Sequence, residues 1–510
     1  MAAFAKSLSL GASSEEPRLK NECDLLIVGL GPIGDVCAGL AALEGLHVIA
    51  IDRDTAPYPL PRAAVFDDEI MRIFQRVGVA ERLEDICWTP DRHEFISSGG
   101  EVLADFPVKG ISTPSGWEPS YVLHQPAVEA LLRQRLEELR VDVRLGERFI
   151  SVHQEPDAAV ATVERGDGRY QVRAAYLVGA DGGSSSVRQA INGDLFDYEF
   201  DEPWLVIDVV APIGNALPLR GMQICDPVRP ASYLKMPGDR FRWEFLMLPG
   251  ETVGQVTAEA FIRELLQPWG VSDDIIIERK AVYRFRGLLA KRWREGRVLL
   301  AGDAAHQMPP FAGQGMCSGL RDANNLIWKV ACVQRKEADV ALLDSYQAER
   351  ELHARSVIET AITMGRIVCL RDAEAAAARD AKMIALRLAG TQELSMRFPD
   401  LVGGCLDGSA GSGSQFPQPV VKGWRLDDVL GPGFWLIGRD LPKATAVNVS
   451  IFDLAGQPLL PFAPALNAWL ASMNAQAVIV RPDRHVFGTG SATALLARLE
   501  ERLRNIAEVV

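Results

Sequence analysis

The sequence predicts an α/β fold, and three stretches carry the prediction: LIVGLGPIGDVCAGL near the start, YLVGADGGSSSVRQAI later on, and RVLLAGDAAHQMPPFAGQGMCSGLRDANNL near the middle. Each runs from a short apolar segment through a glycine-rich turn into a helical pattern, as strands buried on both faces of a parallel sheet do. With 510 residues the chain is too long for one hydrophobic core and divides into several domains.

The first stretch is the most explicit. DLLIV, residues 24–28, forms a strand, and Gly29, Gly31 and Gly34 follow in G-x-G-x-x-G spacing. An Ala- and Leu-rich helix then leads to HVIAID, which ends in Asp52. Glycine permits the tight turn at the first position, close approach of the backbone to a pyrophosphate at the second, and close helix–strand packing at the third; the acid accepts hydrogen bonds from a ribose. This part of the chain is therefore Rossmann-like and binds a dinucleotide. Asp35 departs from the pattern, since an apolar residue is usual after the third glycine. A carboxylate there favours the helix dipole by ~0.3–1 kcal/mol but would repel a pyrophosphate, so its side chain is expected to point away from the ligand.

In the stretch near the middle, a buried strand from Val298 to Ala301 delivers Gly302 and Asp303 to the carboxyl edge of a sheet. Pro309, Pro310, Gly313 and Gly315 force an irregular loop before the next helix starts. A helix start offers free N–H groups and a positive pole. Between the two lies a strand from Tyr176 to Gly179, then Asp181 in a glycine turn, then Ser185, Ser186 and Arg188 opening a helix. Two such helix starts suit one long ligand gripped at both ends.

Composition narrows the class. A net charge of -13 argues against a sequence-independent grip on nucleic acid, which needs clustered Lys and Arg. The 8 cysteines form no CxxC pair, which suits reduced thiols in a cytoplasmic protein without a metal site. Residues 1–20 lack an apolar core of signal-peptide length and read as a flexible leader, and no run reaches the ~18 apolar residues of a membrane helix.

Taken in order, the GxGxxG, DG and GD turns resemble those of the flavoprotein aromatic hydroxylases of the para-hydroxybenzoate hydroxylase fold. The likeness extends to PRAAVFDDE (61–69), CDPVRP (225–230), WEFLMLPGE (243–251) and VIVRPDRHVFG (478–488), stretches similar to hydroxylases of the 3-(3-hydroxyphenyl)propionate type. The resemblance implies that the long ligand is FAD. Its ADP half would rest on Gly29, Gly31, Gly34 and Asp52, and its flavin half on Gly302, Asp303 and the loop through Pro310, Gly313, Gly315 and Met316. Arg62 and Gln125 would touch the flavin or ribityl chain, and Asp181 and Arg188 are implied in handling FAD and NAD(P)H.

The same resemblance implies the reaction: NADH or NADPH, visiting transiently, reduces FAD, O2 adds as a flavin hydroperoxide, and a phenolic ring is hydroxylated. In phenol-type relatives an acid or His can occupy the position of Ala64, so the base is unassigned, while His306 reads as a structural hydrogen-bonding residue. In RFRWEFLML, alternation puts Arg240, Arg242 and Glu244 on one face and Phe241, Trp243 and Phe245 on the other. One face is expected to line an aromatic pocket and the other to meet solvent. Tyr233 and Arg242, with Pro310 at the flavin, are the candidate catalytic residues.

The expected domains are the leader (1–20), a first FAD-binding part (21–191), a β-rich substrate insert (192–280), a second FAD-binding part with bracing helices (281–402), a linker (403–419) and a thioredoxin-like C-terminal domain (420–510). The last lacks CxxC and serves packing or subunit contact, a homodimer included. Two rivals stay open, a dehydrogenase or oxidase of the same fold and a non-catalytic flavin sensor. A flavin halogenase is disfavoured by the absence of WxWxIP.

Overall fold

Gly29, Ala180 and Ala301 stand level at the carboxyl ends of three adjacent parallel strands, Glu22–Val28, Gly168–Gly179 and Val298–Leu300. Val28 lies beside Gly179, and Gly179 beside Leu300. The ladder continues into the turns, with Ala180 N–H donating to Val28 O at 2.8 Å and Ala301 N–H to Gly179 O at 3.0 Å. Val48–Asp52 and Asp142–Leu145 extend the sheet in parallel on its other side. The computed structural model describes residues 21–57, 62–211, 217–271, 274–391 and 398–504; the leader expected at 1–20 lies outside them.

A second sheet packs against this domain. Its strand order is His306–Gln307, Ile276–Ala290, Leu195–Val210, Arg240–Leu246, Ala231–Lys235, Gly221–Cys225, Arg92–Ser97 and Val102–Pro107. It is wider than the insert expected at 192–280, because the 92–107 hairpin pairs in parallel with Gly221–Cys225 and the long strand runs to Ala290. Pairing across more than a hundred residues leaves no local signal.

The expectation that one face of this strand meets solvent is corrected. Phe241, Trp243 and Phe245 pack with Tyr233, Ile207 and the helix Glu259–Leu266 in a sealed core. The Arg242 face turns inward toward the dinucleotide domain, since Arg242 Nη1 donates to Arg62 O at 2.9 Å. Alternation fixes which residues share a face, not which face is covered. The charges tolerate burial because they are paired: Arg242 holds Asp208 with two bonds, at 2.7 and 3.0 Å, and Arg279 adds a third at 3.3 Å.

The helices Gly315–Gln334 and Asp344–Val368 brace the first sheet, and Ala373–Leu388 lies against the strand Val102–Pro107. The C-terminal sheet has the order Val449–Asp453, Phe434–Gly438, Ala477–Val480, Val486–Gly490. Its first pair is parallel and the others antiparallel. Ala463–Ser472 covers one face and Ala492–Arg504 the other. The segment 403–419 is tied down rather than free: Cys405 N–H donates to Glu349 at 2.8 Å, and Phe416 and Gln418 are buried.

A fully buried cluster joins that domain to the helices. Glu349 meets Lys329 at 3.0 Å and Arg481 at 2.8 Å, Arg481 also meets Asp483, and Trp328 Nε1 donates to Asp483 at 3.1 Å. Burial alone raises the Glu349 carboxyl, but the charges of Arg481 and Lys329 outweigh it and hold it at about 2. Removing one member strands the others. Arg481→Ala is expected to cost roughly 3–5 kcal/mol in urea unfolding at neutral pH. Wild-type stability should also fall as pH drops from 4.5 toward 2, because Glu349 takes up its proton more readily once unfolded.

Candidate functional site

The three glycines of the first turn occupy three different environments. Gly29 has φ +95°, and a β-carbon there would lie 2.5 Å from Ala180 O. At Gly34 a β-carbon would fall 1.9 Å from Gly29 O, so helix and strand touch through it. A β-carbon on Gly31 would meet no protein atom within 4 Å. The backbone at Gly31 thus fronts an open groove at the start of the helix Pro32–Leu43, which fits a dinucleotide pyrophosphate.

The Leu30 peptide is held on both sides. Its N–H donates to Asp52 Oδ2 at 2.6 Å, and its carbonyl accepts from Arg133, which pairs with Asp35 at 2.7 Å. Asp35 therefore points at Arg133 and steadies the glycine turn through it. Desolvation raises the Asp35 carboxyl well above its usual range despite that partner. The sequence carried the irregularity at Asp35 but no sign of Arg133, a hundred residues away.

The other two turns are stitched together. Arg188 donates to Ala304 O at 2.9 Å and to Gly183 O at 2.8 Å, and Gln307 also donates to Gly183 O. Asp181 caps the short helix Ser186–Ala190 by accepting from the backbone of Ser186 and Val187. Asp181 and Arg188 thus shape the turns. Gly302 has φ +63°, and its N–H donates to Asp322, which also takes His306 Nε2 at 2.7 Å and Arg350 Nε at 2.9 Å. Burial raises the Asp322 carboxyl, but His306 and Arg350 outweigh it and leave it below its usual value. His306 is buried and bonded to Asp322.

Asp303 is exposed, though protein surrounds much of its side chain. Desolvation lifts its carboxyl, opposed by His306 and Arg62. Arg62 also acts on Glu129, beside the first turn, so its charge sits between the two ends of the groove. Gln125 is buried and receives the N–H groups of Arg62 and Ala63 at 3.0 and 2.7 Å. Pro310 opens a short turn ended by Gly313 at φ +65°, where a β-carbon would lie 2.4 Å from Val65. Gly315 and the buried Met316 start the long helix, whose own Arg321 anchors it by donating to Asp67, Glu69 and Gln314. That is the work of the acids in PRAAVFDDE, which sequence reasoning did not assign.

On the inward face of the second sheet, Arg242 sits under Arg62, and Phe311 packs on Trp204 and Phe285 with centroids 5.5 and 6.0 Å apart. Tyr233 is not part of this wall. It lies beside Trp243 on the sealed face, stacks on Trp269 at 4.9 Å and donates its hydroxyl to Pro218 O at 2.7 Å. Among the described residues no group of His, Cys, Asp and Glu could hold a metal.

A family model described as an FAD binding domain matches residues 22–361. A protein of Rhodococcus jostii (strain RHA1), "Probable NADH-specific resorcinol 4-hydroxylase", is 37% identical over 99% of this chain and 97% of its own. The chain belongs to the FAD-dependent aromatic hydroxylases. A second hydroxylase of the family, "3-(3-hydroxy-phenyl)propionate/3-hydroxycinnamic acid hydroxylase 2" of Burkholderia vietnamiensis (strain G4 / LMG 22486), is 34% identical over 82% of this chain and 80% of its own. The fold is shared with the flavin-dependent monooxygenase PieE in complex with FAD and substrate, at TM-score 0.80 and 22% identity over 94% of this chain and 99% of that one. It is also shared with aklavinone-11 hydroxylase in complex with FAD and aklavinone, at TM-score 0.77 and 21% identity over 95% and 100%. FAD is this hydroxylase's cofactor, and the open backbone at Gly31 and the exposed Asp303 fit it.

Two glycine variants should separate folding from cofactor binding. Gly31→Ala is expected to melt like the wild-type apoprotein yet bind FAD roughly tenfold or more weakly by flavin-fluorescence titration. Gly34→Ala, with no room for its methyl group, should lose stability and FAD together.

Proposed function

We propose that this hydroxylase uses NADH and O2 to hydroxylate a neutral dihydroxybenzene of the resorcinol kind. The observation that carries the substrate reading is the wall of the second sheet, where Arg242 and Arg279 face Asp208 and Glu244. On the sheet itself the two cations are balanced by two carboxylates, and the further cation Arg62 belongs to the segment above, so the sheet wall adds no excess positive charge for a substrate carboxylate. The resorcinol hydroxylase of Rhodococcus jostii is also more similar in sequence than the Burkholderia relative whose substrate bears a propionate, and its stated specificity supports NADH.

When bound, FAD supplies the acceptance of two electrons from NADH and the activation of O2. We assign its pyrophosphate to the Gly29–Gly34 turn, its ribose to Asp52, and the far end to Asp303 and the loop Pro310–Met316. The start of the helix Gly315–Gln334 favours negative charge beside it. Arg188 and Asp181 keep the turns in place. The carbonyl of Arg62, fixed by Arg242, closes the groove over the second sheet and shelters the reacting ring from water. The C-terminal domain reads as a thioredoxin-like scaffold without thiol chemistry, since residues 420–510 hold no cysteine. All 8 cysteines are free, which supports a reducing, cytoplasmic setting.

Resorcinol is expected to accelerate NADH oxidation by the purified yellow protein, with one atom of labelled O2 appearing in the product. NADPH and 3-(3-hydroxyphenyl)propionate should serve poorly. Oxidation without incorporated label would favour the dehydrogenase or oxidase reading, and strong activity on the propionate would shift the substrate class.

A further inference from the structure

Across the second sheet, Ala281, Val206, Glu244, Ser232 and Gln223 stand in one register row on the inward face. Of the residues two places away along the strands, Arg279, Asp208 and Arg242 on one side and Trp204 and Leu246 on the other are buried, while Leu234 and Tyr283 are partly accessible. Yet Ala281, Glu244, Ser232 and Gln223 are each partly accessible. Access is from the inward side, because the opposite face is sealed by its own core. The covering segments are pinned over the two flanking rows, Arg62 over Arg242 and Phe311 over Trp204. A recess therefore runs between them along the row. Rows of one face are ~7 Å apart, wide enough for an aromatic ring lying over small side chains.

Two oxygen acceptors in this recess have no partner in the described protein. Gln223 Oε1 is buried without a hydrogen bond, and the Glu244 carboxylate takes neither a hydrogen bond nor an ion pair from any described residue. We propose that Glu244 is the catalytic base of the hydroxylase: it accepts the proton of the substrate hydroxyl while Gln223 accepts a second hydrogen bond from the same ring. The O–H bond breaks, the proton passes to a Glu244 carboxylate oxygen, and the bonding pair stays on the phenolic oxygen, enriching the ring carbons that take up oxygen. This fills the role left open by Ala64 and rests on the reading of the chain as a phenol hydroxylase. Desolvation raises Glu244, with Arg242 and Arg279 opposing and Asp208 adding to the rise. The other charged or titratable groups around this row are Tyr283 on the sheet and Arg62 and His124 on the segments above it. A carboxylate raised in this way is better matched to a phenol.

The test is Glu244→Gln in the FAD-loaded protein, with Glu244→Asp as a second variant. FAD content, melting temperature and reduction by NADH without substrate should match wild type. With resorcinol, kcat at neutral pH should fall about 100-fold or more, and less in Glu244→Asp. The loss should shrink as pH rises toward the phenol's own ionisation near 10, and nearly vanish for a fluorinated resorcinol already ionised at neutral pH. Equal activity of Glu244→Gln and wild type, or an equal loss on ionised and un-ionised substrates, would overturn the assignment. Failure of the wild type to hydroxylate any phenol would instead remove the functional reading, so the two failures are distinguishable.

Discussion

At Gly29 the first turn passes so close to Ala180 that a single added carbon would strike its carbonyl oxygen at 2.5 Å, and the site depends on this contact. It lets three parallel strands end level, so that turns separated by some hundred residues of sequence line one groove. Side chains then lock what the missing β-carbon permits. Arg133 and Asp52 hold the Leu30 peptide, Arg188 ties the second turn to the third, and Asp322 gathers the third turn, His306 and Arg350. These bonds are made in protein surroundings where an unpaired group would be costly, so the groove is built before any ligand arrives.

The second sheet solves a different problem. Its sealed face is aromatic and aliphatic, and its inward face is charged, an inversion of the usual partition between core and surface. Asp208, with two arginines on it, makes that inversion tolerable, and the result is a polar wall facing a dinucleotide groove. The aromatic contacts of Phe311 with Trp204 and Phe285 hold that wall against the loop that opens at Pro310. On the proposed reading, specificity and cofactor binding reside in separate sheets whose residues share one core.

Much of this was legible in the residues. The spacing of Gly29, Gly31 and Gly34 follows from local backbone geometry, and strand–turn–helix order places Asp181 and Asp303 at one sheet edge. What escaped was non-local. Nothing near residues 92–107 shows that this hairpin joins the substrate sheet, and FWLIG at 434–438, the second strand in the order of the C-terminal sheet, was not picked out from its short apolar run. Arg133, Arg321 and Asp322 are ordinary helix residues until their partners are known. Tyr233 was misplaced for the same reason: only the cross-strand register sets it beside Trp243, and only the helix stacked there shows that this face is closed.

The helix Gly315–Gln334 begins at the site, yet its later turns are fastened to the C-terminal sheet through Asn324, Asn325 and Trp328 on Asp483. Evolution on such a scaffold has unequal freedom. Exchanges at Ala281 or Ser232 reshape the recess and break no ion pair, whereas each change along the helix unsettles two domains at once. New substrates should therefore arise through the sheet, with the helix and its distant anchor inherited as a unit.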